Sequence, residues 1–295
     1  MSFEGSATVS DAEGNLLFYT NGGAHEYMFD IGKDGGTIWN KNHEPMYQMN
    51  GMEGGGYSSH QSSLILPKPN NPGVYYLLVM DEFEAFLHND LRGFSYYEVD
   101  LNLNGGLGEV TTYVESIYIN TYEVLSAVPM ADGTGFWVVI RDRDSSDYLI
   151  YALTESGINL NGTYTGSDYC YHLTFSPDGS KMYCDGYLYD FDKMTGDISN
   201  ELELTLPIFS GFSPNSRYLY SRIVDSVDFN LYHFYRHDLT ANDIDASATF
   251  LFSEYDIEIR HPQVAPDGNI YFIQRTISTD TAYLASILCP NSETF

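Results

Sequence analysis

Two short acidic runs offer the most direct chemistry in this sequence. Asp142, Asp144 and Asp147 fall on one predicted loop, and Asp190 and Asp192 are followed closely by Asp197. A hard cation such as Ca²⁺ takes about six to eight oxygen ligands, which acidic loops can supply. No cofactor is required by the sequence, and Ca²⁺ is the one these runs would suit, with these six aspartates as its candidate ligands. Neither run has full EF-hand spacing, and the competing reading is a set of solvated turn carboxylates. Asp190 and Asp192 alternate along a strand, so they share at most one face.

Other chemistries find less support. No HExxH zinc motif occurs, and no GxSxG elbow presents a serine nucleophile; GFSP at 211–214 reads as a turn. The glycines at 54–56 lack the lysine and helix that a phosphate-cradling loop needs. Cys170, Cys184 and Cys289 form no CxxC pair, and their odd number argues against a disulfide framework. Free thiols are the expectation, with a Cys170–Cys184 bridge across a hairpin as the alternative. Trp39 and Trp137, the only tryptophans, read as core residues rather than sugar platforms.

The elements that would position these groups are strands. Tyr (26) and Phe (17) are abundant and favour half-buried strand surfaces, and Gly (26) supplies turns. No stretch sustains helical periodicity. One unit recurs: an apolar strand, a Pro/Asp/Asn/Gly turn, then an aromatic strand. Its clearest copies are LTFSPDGSKMYC (173–184), GFSPNSRYLY (211–220) and QVAPDGNIYF (263–272). Looser copies are ATVSDAEGNLLFY (7–19), SLILPKPNNPGVYYL (63–77) and LSAVPMADGTGFWVV (125–139). The turn prolines Pro177, Pro214 and Pro266 stand 37 and 52 residues apart, bracketing the ~40–50 residues of a propeller blade. Pro presets φ for an early turn position, Asp or Asn bonds its own backbone, and Gly takes positive φ. A single blade cannot bury its own faces, so blades must stack. The expectation is an all-β fold, a β-propeller of about six four-stranded antiparallel blades, seven being the alternative, in one domain over 1–295. Residues 48–57 and 82–89 read as exposed loops, with one helical turn allowed in the second.

In such a fold, polar residues at the start of each innermost strand converge on the mouth of the central channel. Those residues are His60, Gln61, Glu123, Tyr171, His172, Arg260, His261 and Gln263. They form the candidate ligand site, against the plainer reading of a wet, polar channel lining. Paired carboxylates for glycoside hydrolysis stay open, because partners can come from different blades.

Charge narrows the partners. With 13 basic and 41 acidic residues the formal charge is −28, which repels nucleic acid and anionic membrane surfaces. No apolar run approaches the ~20 residues of a membrane span, and the N-terminus has neither the basic start nor the apolar core of a signal peptide. The chain reads as a monomeric domain excised from a longer protein.

Several phrases resemble a known family. GSATVSDAEGNLLFYTNG with TIWNKNHEPM, SSHQSSLILPKPNNPGVYYLLVMD, YYEVDLNLNGGLGEV, FSPDGSKMYCDGYLYDFDKMTGDIS and APDGNIYF are similar to the propeller domains of large secreted Bacteroidetes proteins. Those proteins end in a gliding-motility-type sorting domain for type IX secretion. The likeness spans nearly the whole chain, with an insertion at 24–36. It implies an extracellular or cell-surface module, related to adhesion, and no known catalytic residues. The function expected is a non-enzymatic binding or scaffold module for a protein or glycan. The alternative is a propeller hydrolase or lyase acting on a sugar or lactone at the channel mouth.

Overall fold

The computed structural model describes residues 5–23, 36–49, 53–56, 58–87, 91–166, 170–205 and 210–293. The chain forms two compact units, Met1–Asp168 and Tyr169–Phe295, each built from three antiparallel blades. The fold is that of a six-bladed β-propeller.

In the first unit, blade 1 comprises β1 (Ala7–Ser10), β2 (Leu16–Thr20), β3 (Thr37–Asn40) and β4 (Pro45–Gln48). Blade 2 comprises β5 (Ser63–Pro67), β6 (Val74–Met80), β7 (Phe94–Asp100) and β8 (Glu109–Tyr118), with a single helical turn, α1 (Phe83–Leu87), between β6 and β7. Blade 3 comprises β9 (Thr121–Pro129), β10 (Phe136–Asp142), β11 (Asp147–Thr154) and β12 (Gly157–Thr165). In the second unit, blade 4 comprises β13 (Leu173–Phe175), β14 (Lys181–Cys184), β15 (Tyr187–Phe191) and β16 (Ile198–Glu203). Blade 5 comprises β17 (Gly211–Phe212), β18 (Tyr218–Val224), β19 (Leu231–Asp238) and β20 (Thr249–Tyr255). Blade 6 comprises β21 (Ile257–Val264), β22 (Ile270–Thr276) and β23 (Thr281–Ile287). Within each unit, first strands of adjacent blades meet, β1 on β5, β5 on β9 and β17 on β21, so the first strand is innermost.

Among the described residues the sixth blade has three strands where the repeat predicts four. The chain beyond β23 turns onto blade 5 instead. There the Tyr220 hydroxyl donates to the Pro290 carbonyl (2.8 Å), Arg236 donates to the Ser292 carbonyl (2.5 Å) and the Asn215 N–H donates to Asn291 Oδ1 (3.0 Å).

Period-2 alternation explains the stacking. Along β6, Leu77 and Val79 pack toward blade 1 with Phe18 and Ile38. Tyr76, Leu78 and Met80 pack toward blade 3 with Leu125, Val138 and Ile140. The same logic joins Leu188 of blade 4 to Phe212 and Leu219 of blade 5, and Phe234 of blade 5 to Phe272 of blade 6. Trp137 is buried in this core, whereas Trp39 is half-buried and stacks on Tyr19 with ring centroids 5.1 Å apart.

The turns work as their residue types predict. In five blades an Asp or Asn caps the hairpin between the first two strands, accepting the N–H two residues on: Asp11 from Glu13, Asp132 from Thr134, Asp178 from Ser180, Asn215 from Arg217 and Asp267 from Asn269. Hydrogen bonds from Asn15 hold Asp11, and those from Asn269 hold Asp267, below the usual carboxylate range.

Two expectations are corrected. Cys170 and Cys184 are not free thiols but form a disulfide with Cα atoms 5.4 Å apart, and Cys289 is the free one. Cys184 closes β14 opposite Leu173, so the chain entering β13 brings Cys170 beside it. The glycine-rich stretch at 48–57 is not an exposed loop where it is described: Met49 and the glycines at 54–56 are buried. Close backbone approach is the reason. A Cβ on Gly23 would stand 2.0 Å from the Gly55 carbonyl oxygen, and one on Gly56 would stand 2.2 Å from the Glu82 Cβ. The insertion at 24–36 lies outside the described residues except for Gly36.

Candidate functional site

The starts of the innermost strands are where ligand chemistry was expected, and the first unit shows what they do. Just before β5, His60 and Gln61 sit half-buried in a turn, and the Gln61 amide folds back to donate to the Ser63 carbonyl (2.8 Å). Glu123, on β9, is buried, and its Oε1 accepts the Phe83 N–H at the start of α1 (2.7 Å). The neighbouring Glu82 is also buried and accepts the Ser58 N–H (2.9 Å). Both glutamates tie a loop of one blade to the next.

The strongest of these ties was not foreseen. Asp81 and Arg92 bracket the loop that carries α1 and form a buried ion pair, with Nη2 2.8 Å from Oδ1. Asp81 also accepts the N–H groups of Glu82, Arg92 and Gly93 at 3.0, 2.7 and 3.3 Å, and Arg92 donates to the Glu53 carbonyl at 3.1 Å. The Glu53 side chain in turn accepts the hydroxyls of Tyr47 (2.7 Å) and Tyr97 (3.2 Å). Burial and the Glu53 carboxylate push Tyr47 up to about 12, and burial pushes Tyr97 well above the usual phenol range. Local sequence gives no signal for this network, because its members are drawn together from three separate segments.

The aspartates proposed for a cation are engaged in turns. Asp142 is buried and accepts from the Tyr118 hydroxyl, from Asn120 Nδ2 (3.0 Å) and from the N–H groups of Asp144 (2.8 Å) and Ser145 (2.6 Å). Burial pushes its carboxyl up, but the bonds from Tyr118, Ser145 and Asp144 outweigh that and hold it below the usual range. Asp144 pairs with Arg143 (3.1 Å) and Asn120 (3.1 Å), and Asp147 accepts from Thr165 (2.6 Å). On blade 4, Asp190 pairs with Lys181 and accepts from Asn200 (2.7 Å), Asp192 accepts the Met194 N–H (2.8 Å) and Asp197 accepts from Thr195 (2.8 Å). Among the described residues, no three His, Cys, Asp or Glu side chains stand close enough together to hold a metal ion.

In the second unit, the N–H groups of Tyr171 and His172 both donate to Asp185 Oδ2, the latter at 3.2 Å. Together with the Cys170–Cys184 bridge they lace the approach to β13 onto the β14–β15 hairpin. The Tyr171 side chain is exposed and the His172 ring half-buried. Gln263 is exposed on β21 opposite Tyr271. The side chains of Arg260 and His261 lie outside the described residues. A further pair that sequence reading missed is Ser221 and His237, both buried, with Oγ and Nε2 2.9 Å apart. It joins β18 to β19 inside blade 5.

No family model matches this chain, and no curated protein matches it. Solved structures share its fold. A component of a mitotic checkpoint complex is 11% identical with a TM-score of 0.52, the match covering 95% of this chain and 73% of the other. Two proteins provisionally named 6-phosphogluconolactonases score lower. The one from Bacteroides fragilis is 13% identical (TM-score 0.49; 95% and 83% covered), and the one from Bacteroides uniformis is 12% identical (TM-score 0.47; 92% and 96% covered). At such identities the likeness extends to the propeller scaffold alone. Among the described residues, no helix is long and apolar enough to cross a membrane.

Proposed function

We propose that this chain is a non-enzymatic binding and scaffold module that works outside the cell or at its surface and engages a protein or glycan. The observation that carries this reading is how the buried carboxylates of the first unit are used. Glu82, Glu123, Asp81 and Asp142 each accept backbone N–H groups. Their oxygens are directed at holding loops, which suits a rigid presenting surface better than acid–base work. The Cys170–Cys184 bridge supports an oxidising compartment. The resemblance to propeller domains of secreted, gliding-motility-type Bacteroidetes proteins supports surface display and a role in adhesion.

The test is to offer the full oxidised chain to glycan arrays and to surface proteins, and in parallel to assay it on sugar lactones and pectic glycans. Saturable binding without turnover is expected. Turnover above the buffer rate, abolished by Glu123→Gln, would replace this reading with the hydrolase or lyase alternative.

A further inference from the structure

Blade 1 carries an open hollow of about 520 Å³, a volume within the roughly 300–1,000 Å³ of small-molecule sites. Strand alternation builds it. Phe18 and Ile38 pack toward blade 2, so their chain neighbours Tyr19 and Trp39 stand on the other face of the sheet. Thr8 pairs with Tyr19 and Tyr19 with Trp39, which sets the three in a row across β1, β2 and β3. Trp39, expected in the core, is instead half-buried. Its ring lies within 17° of parallel to that of Tyr19, and both rings line the hollow. They give it a flat apolar wall.

Polar groups surround that wall. Ser6 and Thr8 are exposed and bring hydroxyls, and Asn21 and His43 add an amide and an imidazole. Asn21 Oδ1 accepts the Thr37 N–H (2.8 Å), which fixes the amide and leaves Nδ2 to donate elsewhere. The Tyr19 hydroxyl and His43 Nδ1 are 3.1 Å apart. That bond holds both rings and leaves Nε2 to donate or accept according to the tautomer. His43 is itself placed by its hairpin, with φ at 65° and its N–H donating to the Asn40 carbonyl (2.9 Å). A prearranged site loses less entropy when a ligand docks.

This combination selects a ligand class. A pyranose ring offers an apolar face of C–H groups and a rim of hydroxyls that both donate and accept. Flat aromatic rings take the first, and hydroxyl, amide and imidazole groups take the second. Among the described residues, no Asp, Glu, Lys or Arg lines the hollow, so a charged ligand finds no counter-charge there. The net charge of −28 further opposes an anionic one. We infer that the hollow is a binding site for a neutral saccharide, stacked on the Tyr19–Trp39 pair and hydrogen-bonded by Thr8, Asn21 and His43. The inference rests on the binding-module reading and chooses glycan over protein as the ligand of this site.

Tetrasaccharides of glucose, mannose, xylose and N-acetylglucosamine provide the probes, with a galacturonic acid tetrasaccharide as the charged control. At least one neutral probe should bind the full oxidised chain saturably in calorimetry. It should also shield Trp39 from acrylamide quenching, against the constant background of the buried Trp137. Trp39→Ala should weaken binding about tenfold or more. Thr8→Arg, at an exposed side chain, and His43→Gly, which suits the positive φ, should weaken it with no loss of melting temperature. Phe229→Ser, at a side chain 74% exposed in the other unit, should leave it unchanged. Failure of every neutral probe to bind, equal binding of the galacturonic acid probe, or indifference to Thr8→Arg and His43→Gly would overturn the inference. Capture of a surface protein, or of a glycan at another face, would in that case leave the module reading standing, whereas turnover abolished by Glu123→Gln would remove both.

Discussion

Asp81 and Arg92 show how much a single pair can control. Two opposite charges are removed from water and aimed at each other at the ends of one loop, with three backbone N–H groups completing the shell of Asp81. Removing one partner strands the other in a buried site, which costs about 3–5 kcal/mol. Asp81→Ala should therefore lower the unfolding free energy by about that amount, measured by urea denaturation. A loss under about 1 kcal/mol would mean that water reaches Arg92 in the variant. None of this was legible in the sequence. Asp81 and Arg92 look like ordinary loop charges, and only folding reveals that the loop between them doubles back. Glu123 was legible as a polar residue near the start of a first strand, β9. Its use as a cap for α1 was not, because that depends on the neighbouring blade.

At the scale of elements, the hairpins were the most readable part. Asp or Asn near a Gly or Pro determines its own turn within four residues, so Asp178 and Asp267 could be assigned without knowing the fold. The glycines at 54–56 resisted, because a run of glycine looks the same whether it serves mobility or close packing. The bridge was legible only as the alternative to free thiols, because it is the return of β14 beside Cys170 that brings the two sulfurs together. That bridge closes a loop with a sequence separation of 14, for which chain entropy predicts about 3 kcal/mol of stabilisation. Cys170→Ser with Cys184→Ser should lower the melting temperature and loosen the approach to β13, seen as faster amide exchange at Tyr171 and His172. Unchanged exchange there would show that Asp185 alone holds this segment.

For the whole molecule, acidity is partly internal structure. Asp225 is held at about 2 by the N–H of Asp228 and by His233, and Asp238 at about 2 by Arg217. Both sit below their ordinary value of 3.8, so the stability they confer is complete above about pH 4 and is lost as pH falls through about 2. The buried His237 is shifted down from 6.5 by burial. The unfolded chain therefore takes up a proton first, and stability also declines as pH falls below about 6.5. Asp238→Asn should flatten the fall in melting temperature between about pH 4 and pH 2; a slope equal to that of the unaltered chain would place the acid sensitivity elsewhere. The capped hairpins described above also bear on how the chain reaches this state. Each closes through contacts only a few residues apart, on the scale of about 1–10 microseconds. The slow event is then the meeting of finished hairpins across blades, such as β6 with β9 and β10. Substitutions at Leu78 or Ile140 should therefore slow folding, and those at Asp178 or Asp267, whose turns are already closed when the blades meet, should slow it too while leaving the unfolding rate nearly unchanged.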